Sequence, residues 1–237
     1  MKYLLVLTAF VAIFSSCRIM GGKKVRGNGN VISQTRQVGS FTNLDVSGAV
    51  TVRLKQEAAT SVRVDTDENL MEYLEIKVDG NTLVIQPRNG YNLDPSKDLI
   101  VYVSASRFND IDVSGASKVT SEAAITGDEM NIHASGASEI LMQVKLSKFT
   151  SELSGASTLK LTGDVARFET QSSGASKILC FDLKTEEAKL DISGASNAEI
   201  SAEKELNIEA SGASTVEYRG NANINQKSSG ASNVKKV

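Results

Sequence analysis

The sequence predicts an all-β fold: a right-handed parallel β-helix with about 18–21 residues per turn and an irregular N-terminal β cap. Three observations carry that prediction. The tetrapeptide Ser-Gly-Ala-Ser begins at Ser114, Ser135, Ser154, Ser173, Ser193, Ser211 and Ser229, in steps of 21, 19, 19, 20, 18 and 18 residues. A period near twenty marks one supersecondary unit stacked on copies of itself, because a single unit cannot bury its own apolar face. Between the motifs apolar and polar residues alternate, which is strand periodicity, and neither a helical period nor a Leu-x-x-Leu-x-Leu frame competes with it. Finally, aromatic residues make up 5% of the chain and Trp is absent, so the core must be thin layers of Val, Ile, Leu and Ala, as a narrow solenoid requires.

The elements follow in chain order. Residues 1–16 place Lys2 ahead of an apolar run from Tyr3 to Phe14, too short to span a bilayer and of the length of a secretory signal core. Phe14-Ser15-Ser16-Cys17 is similar to a bacterial lipobox, so Cys17 is the expected lipidated residue and the expected membrane anchor. A cleavable signal peptide without lipid is the alternative. Residues 17–30 then read as the lipidated Cys and a flexible Gly-rich tether carrying Arg18, Lys23, Lys24 and Arg26. The expected location is the bacterial outer membrane. The lack of any acidic residue between Cys17 and Asp45 favours the periplasmic face over the cell surface.

Residues 31–237 read as a single domain, with 31–106 as the N-terminal cap region and 107–237 as the rungs. The cap region contains a degenerate motif, Val46-Ser47-Gly48-Ala49, and strand-like runs at 50–54, 61–65, 74–78, 82–86 and 99–104. Asp79-Gly80-Asn81 predicts a hairpin turn. A short helix is expected over 67–73, capped by Asp67, with Leu70, Met71 and Leu74 as its apolar stripe, and residues 88–97 are expected to form an exposed loop.

In the rungs, counted from the first Ser, positions -5, -3, -1 and +5 are apolar and point inward, as in Met130, Ile132, Ala134 and Ile140. Gly48, Gly115, Gly136, Gly155, Gly174, Gly194, Gly212 and Gly230 form one corner column, where a residue without Cβ takes positive φ or lets backbones approach. The Ala after each Gly is expected to point inward, and the Ser hydroxyls to bond backbone at the bend or the next Ser in the stack. Cys180, at inward position +7, reads as a small buried hydrophobe.

With Gly27-Asn28-Gly29-Asn30-Val31, the segment from Phe41 to Ala49, Asp67-Glu68-Asn69-Leu70 and the Ser-Gly-Ala-Ser rungs, residues 30–237 resemble the auto-transporter adhesin head domain called the GIN domain. The resemblance implies a β-helical secreted or lipid-anchored bacterial protein, and it supplies no catalytic or ligand residues to carry over.

Chemistry is sparse in the chain itself. Basic and acidic residues number 26 and 28, which leaves no basic field for nucleic acid. His133 is the one histidine, in the outward column Asp112, His133, Glu152, Gln171, Asp191, Glu209, Lys227, and that column reads as a solvated strand face rather than a metal site. No nucleophile elbow and no pair of cleft carboxylates is evident, so the chain is read as a non-enzyme without cofactor or metal. Two functions stay open: an adhesive or binding module for a protein or glycan ligand, and a self-assembling envelope protein. A polysaccharide-binding or polysaccharide-cleaving β-helix is the weaker third. The chain runs five residues past its last motif, and Lys235 and Lys236 are expected to block strand addition there, giving a monomer or small homo-oligomer.

Overall fold

Period-two alternation becomes burial rung by rung in the computed structural model, which describes residues 22–237. Strands account for 66% of the chain and stack in parallel as a β-solenoid of about seven turns. Along one face Asn43–Val46, Asp110–Val113, Ile125–Ala134 and the long strands Glu139–Leu153, Thr158–Ser172, Lys177–Ile192 and Asn197–Ala210 stand in register, followed by Asn223–Ser228. Along the face after the corner, Thr51–Gln56 lies under Lys118–Ser121, and Thr215–Arg219 and Asn233–Lys236 close the series. Met130, Ile132 and Ala134 are buried, as are Val119, Ile140, Leu159, Ile178, Ala198 and Val216 one corner later. Phe149 and Phe168 are register partners and stack inside, their ring centroids 5.7 Å apart and their planes 6° from parallel. Cys180 is fully buried, and burial pushes its thiol up to about 12.

The corner explains the motif. From Gly115 to Gly230 the glycines have φ between 70° and 78°. A Cβ on Gly174 would sit 2.5 Å from the Gly155 carbonyl oxygen, the atom that accepts the Ala175 N–H at 2.7 Å. Positive φ and close approach therefore act together. The Ala column is exposed, against expectation, and the last Ser of each motif is the inward residue: Ser117, Ser138, Ser157, Ser176, Ser196 and Ser214 are all buried. Most of these hydroxyls close the bend on the first Ser of the same motif. Ser138, Ser157, Ser176 and Ser196 Oγ donate to the carbonyls of Ser135, Ser154, Ser173 and Ser193 at 2.7–2.9 Å. A short hydroxyl satisfied within its own turn costs little to bury, which is why Ser is tolerated at an interior position. Differences in turn length are absorbed away from the corner, where the pairing shifts between Lys160 and Gly163 and between Cys180 and Lys184.

The cap region continues the solenoid. Thr82–Pro87 and Ile100–Ala105 lie in parallel under Asn43–Val46 and Thr51–Gln56 and form the bottom layer. Antiparallel strands cover it: Leu74–Asp79 pairs Thr82–Pro87 across the predicted Gly80-Asn81 turn, and Ser61–Asp67 joins Val31–Arg36 to Ile100–Ala105. The helix expected over 67–73 is a single 3-10 turn, Glu68–Leu70, with Leu70, Met71 and Leu74 buried as the stripe required. Asp67 makes no cap bond. Its fully buried carboxylate instead accepts Gly29 N–H at 2.7 Å, Ser96 N–H at 2.8 Å and Ser96 Oγ at 2.6 Å. Those donors explain why an acid is placed here: burial alone would push the carboxyl up, and the three bonds outweigh it and hold it below the ordinary range.

Two further expectations are corrected. Lys23–Arg26, read as part of a flexible tether, is a strand, and Tyr91–Asp94, read within an exposed loop, is its parallel partner. Neither segment has an apolar alternation of its own. Each supplies the other's backbone partners, and Asp94 takes ion pairs from Lys24 at 3.0 Å and Arg26 at 3.2 Å. At the other end the rung Asn223–Ser228 is exposed throughout, and Lys235 lies on the outer face against Glu217 at 2.9 Å.

Candidate functional site

Each strand leading into a corner turns its even positions outward, so stacking in register converts single residues into ladders about 4.8 Å per step. Two ladders border the corner: the first Ser of each motif, and the column two residues before it. Register contacts run Asp45, Asp112, His133, Glu152, Gln171, Asp191, Glu209, Lys227. Between the ladders lies an open groove of about 390 Å³ that spans five rungs, from Asp112 and Ser114 to Asp191 and Ser193. Sequence reading placed this column on a solvated face, and the structure shows that face to be concave beside the corner.

The electrostatics of the groove are those of exposed acids. His133 Nδ1 lies 3.4 Å from Glu152 Oε2, with both side chains about half exposed, so the contact is worth little to stability. Asp112 is the perturbed member. Partial burial pushes its carboxyl up, His133 draws it down, and Asp45 and Asp110 push it up again. The Ser hydroxyls both donate and accept, whereas the carboxylates only accept, so the groove suits a ligand rich in donors or positive charge. Asp112, His133 and Glu152 are stacked neighbours, yet among the described residues no three His, Cys, Asp or Glu side chains converge as a metal set would.

The corner glycines stand in one column as the repeat spacing requires, and their role is backbone geometry. Cys17 lies outside the described residues. What sequence reading missed is the outward first Ser as a groove wall and the Asp67 junction. Carrying the period of two straight through the corner would have placed the first Ser outward and the last Ser inward. Nothing local announces Asp67, whose partners Gly29 and Ser96 lie 38 and 29 residues away.

The family model described as "Putative auto-transporter adhesin, head GIN domain" matches residues 40–222. Among solved structures, a putative adhesin from Bacteroides fragilis superposes with TM-score 0.82 at 17% identity, covering 90% of this chain and 100% of that chain. A protein described as a putative lipid binding protein from Parabacteroides distasonis gives TM-score 0.75 at 20% identity, covering 91% and 100%. A putative adhesin from Parabacteroides merdae gives 0.65 at 19%, covering 91% and 99%. At these identities the likeness is one of fold. No curated protein matches the chain in sequence.

Proposed function

The chain belongs to the auto-transporter adhesin head GIN domain family, and we propose from this that it is a non-catalytic binding module of the bacterial cell envelope, lipid-anchored through Cys17, that engages a protein partner along the corner groove. The observation that carries the reading is the groove itself: five rungs of matched Ser and acidic or amide side chains present an extended polar surface without an acid–base pair aimed at a common point. Recognition spread over repeats in this way is what solenoids offer. A protein partner fits better than a glycan, because the groove lining contains no aromatic ring on which a sugar could stack. The outer membrane, periplasmic face first, is the proposed location.

The reading is tested in the envelope of the native host. Cross-linked partners of the wild-type chain are compared with those of a Glu152→Lys, Asp191→Lys double variant, which reverses two charges in the groove and leaves the buried columns alone. Loss of specific partners with an unchanged melting profile is the expected result. An unchanged partner set would overturn the groove as the binding surface. Cys17→Ala is expected to turn a detergent-extracted protein into an unprocessed or soluble one, and equal membrane retention would overturn the anchor.

A further inference from the structure

We propose that the end of the solenoid carrying the Lys23–Arg26 and Tyr91–Asp94 strands is a membrane-docking face, seated on anionic phospholipid headgroups through Tyr73, Tyr91, Lys23 and Arg88. The proposal rests on the anchor reading of Cys17 and adds to it a surface and an orientation.

Reach comes first. Because Lys23–Arg26 is a strand fixed to the body, and not a tether, the chain between anchor and folded protein is short. Six residue steps separate Cys17 from Lys23, at most about 20 Å when fully extended. The body therefore cannot stand clear of the bilayer, and the part nearest the anchor must meet the headgroup layer.

That part has interfacial chemistry. Lys23 N–H donates to the Gly90 carbonyl at 2.7 Å, so the chain enters directly over the Arg88–Tyr91 turn. Arg88 N–H is bound by the Tyr73 carbonyl at 2.7 Å, and Tyr91 N–H by the Arg88 carbonyl at 3.0 Å, which ties the turn to Tyr73. The two tyrosine rings pack with centroids 4.6 Å apart and a 48° tilt, and both are only half-buried. Tyr, with an apolar ring and a polar tip, is the residue type that settles at the membrane–water boundary. Lys23 is the register partner of Tyr91. Asp94 already engages Lys24 and Arg26, so Lys23 and Arg88 are exposed cations without an ion pair among the described residues, each able to face a phosphate.

The orientation has a consequence for the groove. With the bottom layer on the membrane, successive rungs climb away from it, and the five-rung groove is held off the surface where a partner can reach it.

The chain contains no Trp, so Tyr91→Trp or Tyr73→Trp makes a unique reporter in the patch, and Tyr218→Trp makes one near the opposite end. Each full-length variant, processed in its own envelope and purified in detergent, is reconstituted into phosphatidylcholine–phosphatidylglycerol vesicles with and without bromine on the acyl chains. Flotation is measured alongside Trp quenching. The expected result is flotation of all variants, with quenching several-fold stronger at position 91 or 73 than at 218, and roughly halved when Lys23→Glu and Arg88→Glu are added. Flotation with equal or negligible quenching at both ends would overturn the docking face while leaving the anchor and the groove standing. Failure of the full chain to float would overturn the anchor reading and the docking face with it.

Discussion

Placing a methyl group on Gly174 tests the corner most directly, because the structure separates the two penalties that such a change incurs. The backbone there has φ of 78°, so Gly174→Ala forces an L-residue into the left-handed region at about 1–2 kcal/mol. The added Cβ would also lie 2.5 Å from the Gly155 carbonyl oxygen, with the Gly155 nitrogen at 3.1 Å. That oxygen is the acceptor for Ala175 N–H, so moving it away weakens a buried rung-to-rung bond, worth a further 1 kcal/mol or so, roughly 2–4 kcal/mol in all. Two controls isolate the parts. Gly80 has φ of 59° and nothing within 4 Å of its missing Cβ, so Gly80→Ala carries only the conformational cost. Gly127 is not in the left-handed region, and its Cβ would meet only Leu146 Cδ2 at 3.6 Å. Gly127→Ala is therefore neutral, or stabilises by up to about 1 kcal/mol through the unfolded chain. Urea midpoints at unchanged slope give the ranking Gly127→Ala above Gly80→Ala above Gly174→Ala. If Gly174→Ala proves as mild as Gly80→Ala, the carbonyl contact is not what fixes glycine at the corner.

Asp67→Asn replaces an acceptor of three bonds by a group that aims an N–H₂ at donors, so amide exchange at Gly29 and Ser96 should accelerate while the rungs above 107 keep their protection. The wild-type carboxyl is held below its ordinary range, so its contribution is present above the usual Asp value of about 3.9 and is lost as pH falls through the folded-state value; the variant should lack that part of the acid limb. His133→Ala and Glu152→Ala should each shift stability by less than about 0.5 kcal/mol by thermal melts, since the pair is exposed. Replacing Lys235 and Lys236 by Thr removes the Glu217 ion pair and two charges from an exposed rung, and light scattering should show larger particles only in the variant.

The solenoid was legible because its evidence is repeated: the buried columns that contain Ile132 and Ile140 recur at a fixed place in every rung, and the hairpin at Gly80-Asn81 is written in its turn residues. The orientation of the motif was misjudged at Ala116 and its equivalents because a bend invites a change of parity, whereas the chain keeps inward positions odd straight through it, with Gly occupying the odd place between Val113 and Ser117. The strand Lys23–Arg26 was illegible for a different reason. It is held by Tyr91–Asp94, almost seventy residues along the chain, and a pairing at that distance leaves no local trace in either segment. The groove follows the same division: its residues were named column by column, while its concavity is a property of the stacked coil and of no single rung.

The stacked corner carbonyls also determine how the molecule can change length. Each glycine fits against the one below, so coils are interchangeable only as whole units cut from one corner to the next, and a cut elsewhere would put a side chain against the Gly carbonyl of the neighbouring rung. The register shifts beside Gly163 and Lys184 show the opposite behaviour, taking up a residue or two without disturbing the column. Such a chain has a ruler along one edge and slack along another: extra coils would lengthen the reach of the groove in steps of about 4.8 Å, and extra loops would be accommodated only on the far side.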